Sequence, residues 1–145
     1  MTTLRIKRIG NHTLPAPAYA NAGDAGLDLR TTEAVALWPG ERALVGTGFA
    51  IAVPEGHVGL VHPRSGLAHK HGVTVLNAPG TIDSAYRGEA KVILVNTGTE
   101  PFRAVAGDRI AQLVIQQYTN VTVEETDTLD DTVRGADGFG STGVA

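Results

Sequence analysis

Hydrophobic and polar residues alternate over short runs along most of the chain: LRIKRI, AVALW, FAIAV, VGLVH, VTVL, KVILVN, IAQLVIQQY and VTVEE, with Gly, Pro, Asn and Asp between them. This pattern predicts β-strands, because strand side chains point alternately to the two faces while the intervening residues suit turns. Eighteen glycines and seven prolines punctuate the runs, at roughly the 8–12-residue spacing of a sandwich, jelly roll or barrel. No long stretch carries the helical period. One short stretch does depart from the β pattern: HPRSGLAHKHG, from His62 to Gly72, predicts two helical turns with Ser65 as N-cap and Gly72 just past the end. Lys70 and His71 then sit where the helix dipole favours cations. After Val123 the alternation gives way to an acidic connector, Glu124, Glu125, Asp127, Asp130 and Asp131, and then to the glycine-rich RGADGFGSTGVA. Residues 1–125 therefore read as one β domain and residues 126–145 as an arm, with no internal repeat.

Composition narrows what such a domain does. At 145 residues with 42% hydrophobic and 19% charged positions, the chain is large enough to close a core without a disulfide or a structural metal. The absence of cysteine excludes disulfides, thiolate catalysis and cysteine zinc sites. A net charge of −3 argues against a footprint for nucleic acid or an anionic membrane, so an anionic ligand must be held by local groups. Charges occupy the N-terminal MTTLRIKRIG where a signal peptide has its apolar core, and no run approaches membrane-spanning length. A cytoplasmic address is expected.

Three stretches carry candidate chemistry. At the start of the short helix, free backbone N–H groups would lie beside the Ser65 hydroxyl and the Arg64 guanidinium, an arrangement that holds phosphate. Taken alone, the stretch reads more simply as a capped connector with a solvated arginine. In GTIDSAYRGE (80–89), Asp83 and Ser84 read by themselves as turn residues and Tyr86 as a packing ring. A functional reading needs a second carboxylate, which DAGLDL (24–29) supplies: alternation sets Asp28 on the face opposite Leu27 and Leu29. Near a phosphate site, one carboxylate would orient hydrated Mg²⁺ and the other would take a proton from water. The tail glycines Gly138, Gly140 and Gly143 match G-x-G-x-x-G, but no βαβ unit surrounds them, so they do not form a dinucleotide fingerprint. His69 and His71 are two apart, do not share a helical face, and are expected to be solvated. Trp38, before Pro39-Gly40, is expected to pack a core edge.

Together these stretches resemble the trimeric dUTP diphosphatase (dUTPase) family, whose five motifs match in order DAGLDL (24–29), PRSGLA (63–68), GTIDSAYRGE (80–89), GDRIAQLVI (107–115) and RGADGFGSTG (134–143). The resemblance implies an all-β jelly roll or barrel with one short helix and a flexible C-terminal arm. It also implies a homotrimer whose three active sites each draw on all three chains, cleaving dUTP to dUMP and diphosphate with Mg²⁺ as cofactor. By position, Asp83 would activate the water that attacks the α-phosphorus and would contact the 3′-hydroxyl. Tyr86 would pack under the sugar and exclude a ribose 2′-hydroxyl. Asn77 and the backbone of Gly80, Thr81, Ile82 and Asp83 would read uracil. Arg64, Ser65, Gly66 and Gln112 would hold phosphates, Asp28 would order water around the metal, and Lys91 would line the same pocket. From the arm, Arg134, Gly140, Ser141 and Thr142 would cover the outer phosphates while Phe139 stacks on the base. The family has two adjacent glycines before that aromatic residue; the first is Asp137 here, a carboxylate placed to repel the γ-phosphate. A deoxycytidine triphosphate deaminase of the same fold and a non-catalytic nucleotide-binding regulatory trimer are the alternatives; Asp83, Tyr86 and the complete tail fit dUTPase better.

Overall fold

The computed structural model describes residues 2–140 together with Thr142 and Gly143. Its strands are β1 (Arg5–Arg8), β2 (Gly26–Arg30), β3 (Val35–Leu37), β4 (Arg42–Ala52), β5 (His57–His62), β6 (Val73–Val75), β7 (Gly80–Ile82), β8 (Glu89–Asn96), β9 (Phe102–Ala104) and β10 (Arg109–Gln117), and helix α1 covers Ser65–His71. They form a jelly roll of two four-stranded sheets, ordered β1-β4-β8-β6 and β2-β10-β5-β7, beside the small pair β3-β9. Every pairing is antiparallel.

Alternation decides which side chains meet between the sheets. In β8, Ala90, Val92, Leu94 and Asn96 point inward, and they join Leu29, Val45, Ile51, Val61, Ile110 and Leu113 in one core. Each large apolar side chain so buried contributes about 1.5–3 kcal/mol against exposure. Asn96 is the polar member of its row and is fully satisfied. Its Nδ2 donates to the Leu37 and Glu100 carbonyls at 2.9 and 2.8 Å, and its Oδ1 accepts the Gly98 N–H at 2.8 Å. That network ties the end of β8 to β3 and to the turn before β9.

The strands differ from the sequence expectation in three places. FAIAV belongs to a longer strand, β4, which is irregular between Gly46 and Ala50 where its register against β8 shifts. Within that irregularity the Thr47 hydroxyl turns inward to the Ala90 carbonyl at 2.6 Å. β7 and β9 are too short for a period of two to register; β7 pairs with the longer β5, and β9 pairs with the equally short β3. Conversely, VTVEE forms no strand: Val121 and Val123 are exposed, and among the described residues the last hydrogen bond from the C-terminal region to the body is Tyr118 N–H to Gly56 O at 3.2 Å. Alternation alone is insufficient without a neighbouring edge to pair with. Trp38 also departs from expectation. Its N–H donates to the Glu41 carboxylate and its carbonyl accepts the Glu41 N–H, both at 2.9 Å, and in this closed turn Trp38 is 56% exposed. His69 is exposed as expected, whereas His71, also exposed, lies against Phe102 with ring centroids 5.6 Å apart. Among the described residues no helix is long and apolar enough to cross a membrane.

Candidate active site

α1 begins one residue earlier than the sequence predicts. Arg64, extended at φ −95° and ψ 126°, holds the N-cap position without a side-chain cap, and Ser65 is the first helical residue. The first helical hydrogen bond runs from Ala68 N–H to Arg64 O at 3.0 Å, so the N–H groups of Ser65, Gly66 and Leu67 precede it. The Ser65 hydroxyl is therefore not consumed as a cap. β10 fixes the segment that leads in: Gln112 Nε2 donates to Pro63 O at 3.0 Å, and Arg64 Nη1 donates to Arg109 O at 3.1 Å.

These groups line a cavity of about 460 Å³ together with Asn21, Asp24, Asp28 and His62. Asp28 comes from β2, where Leu29 turns into the core and Asp28 turns away from it, and it pairs in register with Gln112. Its carboxylate is 17% exposed and lies between two arginines, 3.2 Å from Arg109 Nη1 and 3.9 Å from Arg64 Nε. Gln112 packs so closely on β2 that a methyl group added at Gly26 would stand 2.3 Å from its Oε1. The carboxamide is thus wedged between β2 and the Pro63 carbonyl, with its position set before any ligand arrives. One wall of this cavity has anion-binding donors and another has a carboxylate whose charge is already compensated.

A second cavity, of about 210 Å³, is lined by Thr81, Ile82, Asp83, Tyr86, Glu89 and Lys91. β7 and the turn after it build it. Asn77 covers Gly80, where an added methyl would lie 3.3 Å from its Nδ2. Asp83 is exposed just past the end of β7, and the Tyr86 hydroxyl donates to Glu89 O at 3.0 Å. The tyrosine ring leaves no space for a side chain at Gly88, where a methyl would fall 2.3 Å from the phenolic oxygen.

The two cavities share no lining residue, and the register explains their separation. Ile82 is opposite Gly59 and Gln112 is opposite His62, so Asp83 and Gln112 are displaced by about 13 Å along β5 and by two strand spacings, about 10 Å, across it. A third group lies on the arm. Arg134 Nε donates to Asp137 O at 2.9 Å within the arm, and Phe139 is fully exposed. Among the described residues no hydrogen bond joins residues 119–143 to the β body. Gly140 and Thr142 belong to this group; Ser141 lies outside the described residues.

One chain therefore collects Arg64, Ser65, Gly66, Gln112 and Asp28 in one place, Asn77, Gly80, Thr81, Ile82, Asp83, Tyr86 and Lys91 in another, and Arg134, Phe139, Gly140 and Thr142 in neither. Lys91, expected beside the phosphate groups, stands instead with Asp83 and Tyr86, because it follows Glu89 by two residues on β8 and shares its face. Sequence reasoning missed Arg109 and Glu89. Arg109 stands three residues before Gln112, and strict alternation would send the two to opposite faces. The bulge between Arg109 and Ala111 brings both into the same cavity. Glu89, the last residue of GTIDSAYRGE, has no signal of its own.

A family model described as dUTPase matches residues 12–143. A deoxyuridine 5'-triphosphate nucleotidohydrolase of Thermobifida fusca (strain YX) is 60% identical over 141 residues, covering 97% of this chain and 78% of that protein. A mutant of the Staphylococcus bacteriophage 80alpha dUTPase with dUpNHpp matches in structure with a TM-score of 0.91 and 28% identity, over 99% of this chain and 100% of that one. A mutant dUTPase from phage phi11 of S. aureus, described as coordinating a structural Mg(II) ion, matches with a TM-score of 0.80 and 25% identity, over 88% of this chain and 98% of that one.

Proposed function

The chain belongs to the dUTPase family and hydrolyses dUTP to dUMP and diphosphate, and from that premise we propose that three chains of a homotrimer build each site together. The observation that carries this reading is the separation of the two cavities. The Asp83 carboxylate and the Arg64, Ser65 and Gln112 donors serve one phosphate chain only if they come from different copies.

In that assembly the hairpin of one chain takes the nucleoside. Asn77 and the backbone from Gly80 to Asp83 pair with the uracil edge, and a wrong base leaves those donors and acceptors unpaired. Tyr86 lies under the deoxyribose and occupies the space a 2′-hydroxyl needs, with Lys91 at the side of the same pocket. A second chain holds the phosphates with Arg64, the Ser65 hydroxyl, the N–H groups at the start of α1 and Gln112. The Asp83 carboxylate accepts a proton from water as its oxygen attacks the α-phosphorus, and the bridging oxygen leaves with the diphosphate. A third chain closes the site with Arg134, Gly140, Ser141 and Thr142 over the outer phosphates and Phe139 on the base. Asp137 stays outside the phosphate contacts, because its carboxylate would repel them.

The phosphate cavity suits Mg²⁺ held largely by substrate and water. Among the described residues no three metal-ligating side chains cluster, yet the Asp28 carboxylate faces a cavity roomy enough for a water shell. This fits a hard cation that keeps several of its waters. Bound there, Mg²⁺ would neutralise charge developing on the phosphates, and Asp28 would orient its waters.

The test is product analysis with dUTP and Mg²⁺ on protein whose mass is measured by light scattering. Equal amounts of dUMP and diphosphate from a particle of three chains are expected. Ammonia release from dCTP would instead favour the deaminase, and nucleotide binding without turnover would favour the regulatory trimer.

A further inference from the structure

We propose that Glu89 is a positioning residue that sets the sugar selectivity of the nucleoside pocket through Tyr86 and Lys91. It sits where β8 begins and makes connections in three directions. Its Oε1 accepts the Gly48 N–H at 2.8 Å, its Oε2 lies 3.7 Å from Lys91 Nζ, and its main-chain oxygen accepts the Tyr86 hydroxyl at 3.0 Å. The carboxylate is 19% exposed and also fills the space over Gly46, where an added methyl would stand 2.7 Å from Oε1.

The register shift of β4 gives these contacts their purpose. Between Gly46 and Ala50 the ladder to β8 is interrupted, which leaves the Gly48 N–H without a strand partner. Glu89 supplies one from its side chain. The same irregular segment is held from outside by His12, whose Nε2 lies 2.9 Å from Gly48 O, and from inside by Thr47. The bulge is therefore a fixed point, and Glu89 is moored to it. Tyr86 in turn hangs from Glu89, because its exposed ring is tied to the protein at the far end by the phenolic bond to the Glu89 carbonyl. The ring that must occupy the place of a 2′-hydroxyl takes its height above the pocket floor from the mooring of Glu89. Lys91, on the same side of β8, takes its direction from the other carboxylate oxygen.

This inference rests on the proposed nucleoside pocket, and one experiment separates the two. kcat/KM is measured for dUTP and for UTP on wild type, Glu89→Gln and Glu89→Ala, each at equal folded concentration by circular dichroism. Wild type that prefers neither sugar would overturn the pocket reading itself. With that preference present, Glu89→Gln keeps an oxygen for the Gly48 N–H and is expected to hold the dUTP/UTP ratio within about threefold, with a higher KM from the lost charge beside Lys91. Glu89→Ala is expected to lower the ratio roughly 10-fold or more, since a displacement of about 1 Å in a positioning contact costs up to about 10²-fold. If Glu89→Ala does not fold, Glu89→Asp, one methylene short of the Gly48 N–H, replaces it with the same expected loss. A parallel fall for both substrates with the ratio unchanged would reduce Glu89 to a structural role and overturn the proposal.

Discussion

Arg109 donates to the Asp28 carboxylate across 3.2 Å, although the strand register sets Gln112, and not Arg109, opposite Asp28. Arg64 lies 3.9 Å from the other carboxylate oxygen. With Arg109 compensating Asp28, the proposed function leaves the Arg64 guanidinium available to phosphate. We predict that in Arg109→Gln the Asp28 charge draws Arg64 inward and raises KM for dUTP roughly 10-fold, the equivalent of about one charge-assisted hydrogen bond. With Arg109 exposed and screened by solvent, the pair itself contributes within about 1 kcal/mol, so the urea midpoint should scarcely move. Kinetics beside a urea melt check both parts; an unchanged KM would detach Arg64 from this balance.

Asp83 is exposed at the edge of its cavity, so removing its charge does not disturb the core. Asp83→Asn is expected to bind a non-hydrolysable dUTP analogue close to wild type while turnover falls roughly 10²–10⁴-fold, the usual contribution of a positioned base. Calorimetry with the analogue and single-turnover rates measure the two quantities. Full turnover would assign the proton to another group.

Two inactive chains should complement each other. If Asp83 and Arg64 of one site come from different copies, Asp83→Asn and Arg64→Ala, unfolded in urea and refolded together in equal amounts, should recover activity in about a quarter of the sites. Separately refolded and unmixed samples provide the baseline. No recovery, with mixed trimers demonstrated by mass, would mean that both residues act from one chain.

The arm makes no hydrogen bond to the body among the described residues, and Phe139 is fully exposed. Deleting residues 134–145 should therefore leave the thermal melt and the trimer mass unchanged. Turnover should fall by roughly 10²-fold or more, because closure excludes water and aligns the phosphates. Ordering twelve residues costs on the order of 12–24 kcal/mol as an upper bound, so the arm should gain protection from proteolysis with a dUTP analogue and less with dUMP. Protection in the absence of nucleotide would mean that a neighbouring chain, and not the substrate, holds it.

Much of the molecule was legible in the residues themselves. Alternation in KVILVN, VGLVH and IAQLVIQQY marked the strands that build the core, because burial on one face of a strand imposes a period of two wherever the strand is long. The short helix and the acidic connector were equally open to a local reading, since each depends on residue type and near neighbours, whereas the roles expected of Arg64, Asp83 and Gln112 came only with the ordered set of five motifs. What alternation missed was decided between strands. The bulge at Arg109 reverses the face its spacing predicts, the irregularity at Gly48 creates the donor that Glu89 satisfies, and VTVEE finds no edge to join. The distance between Asp83 and Gln112 follows from the register of β5 with both of its neighbours. Such relations arise from hydrogen bonds between segments remote in the chain, and only the closed sheet selects one register among those that each strand would accept alone.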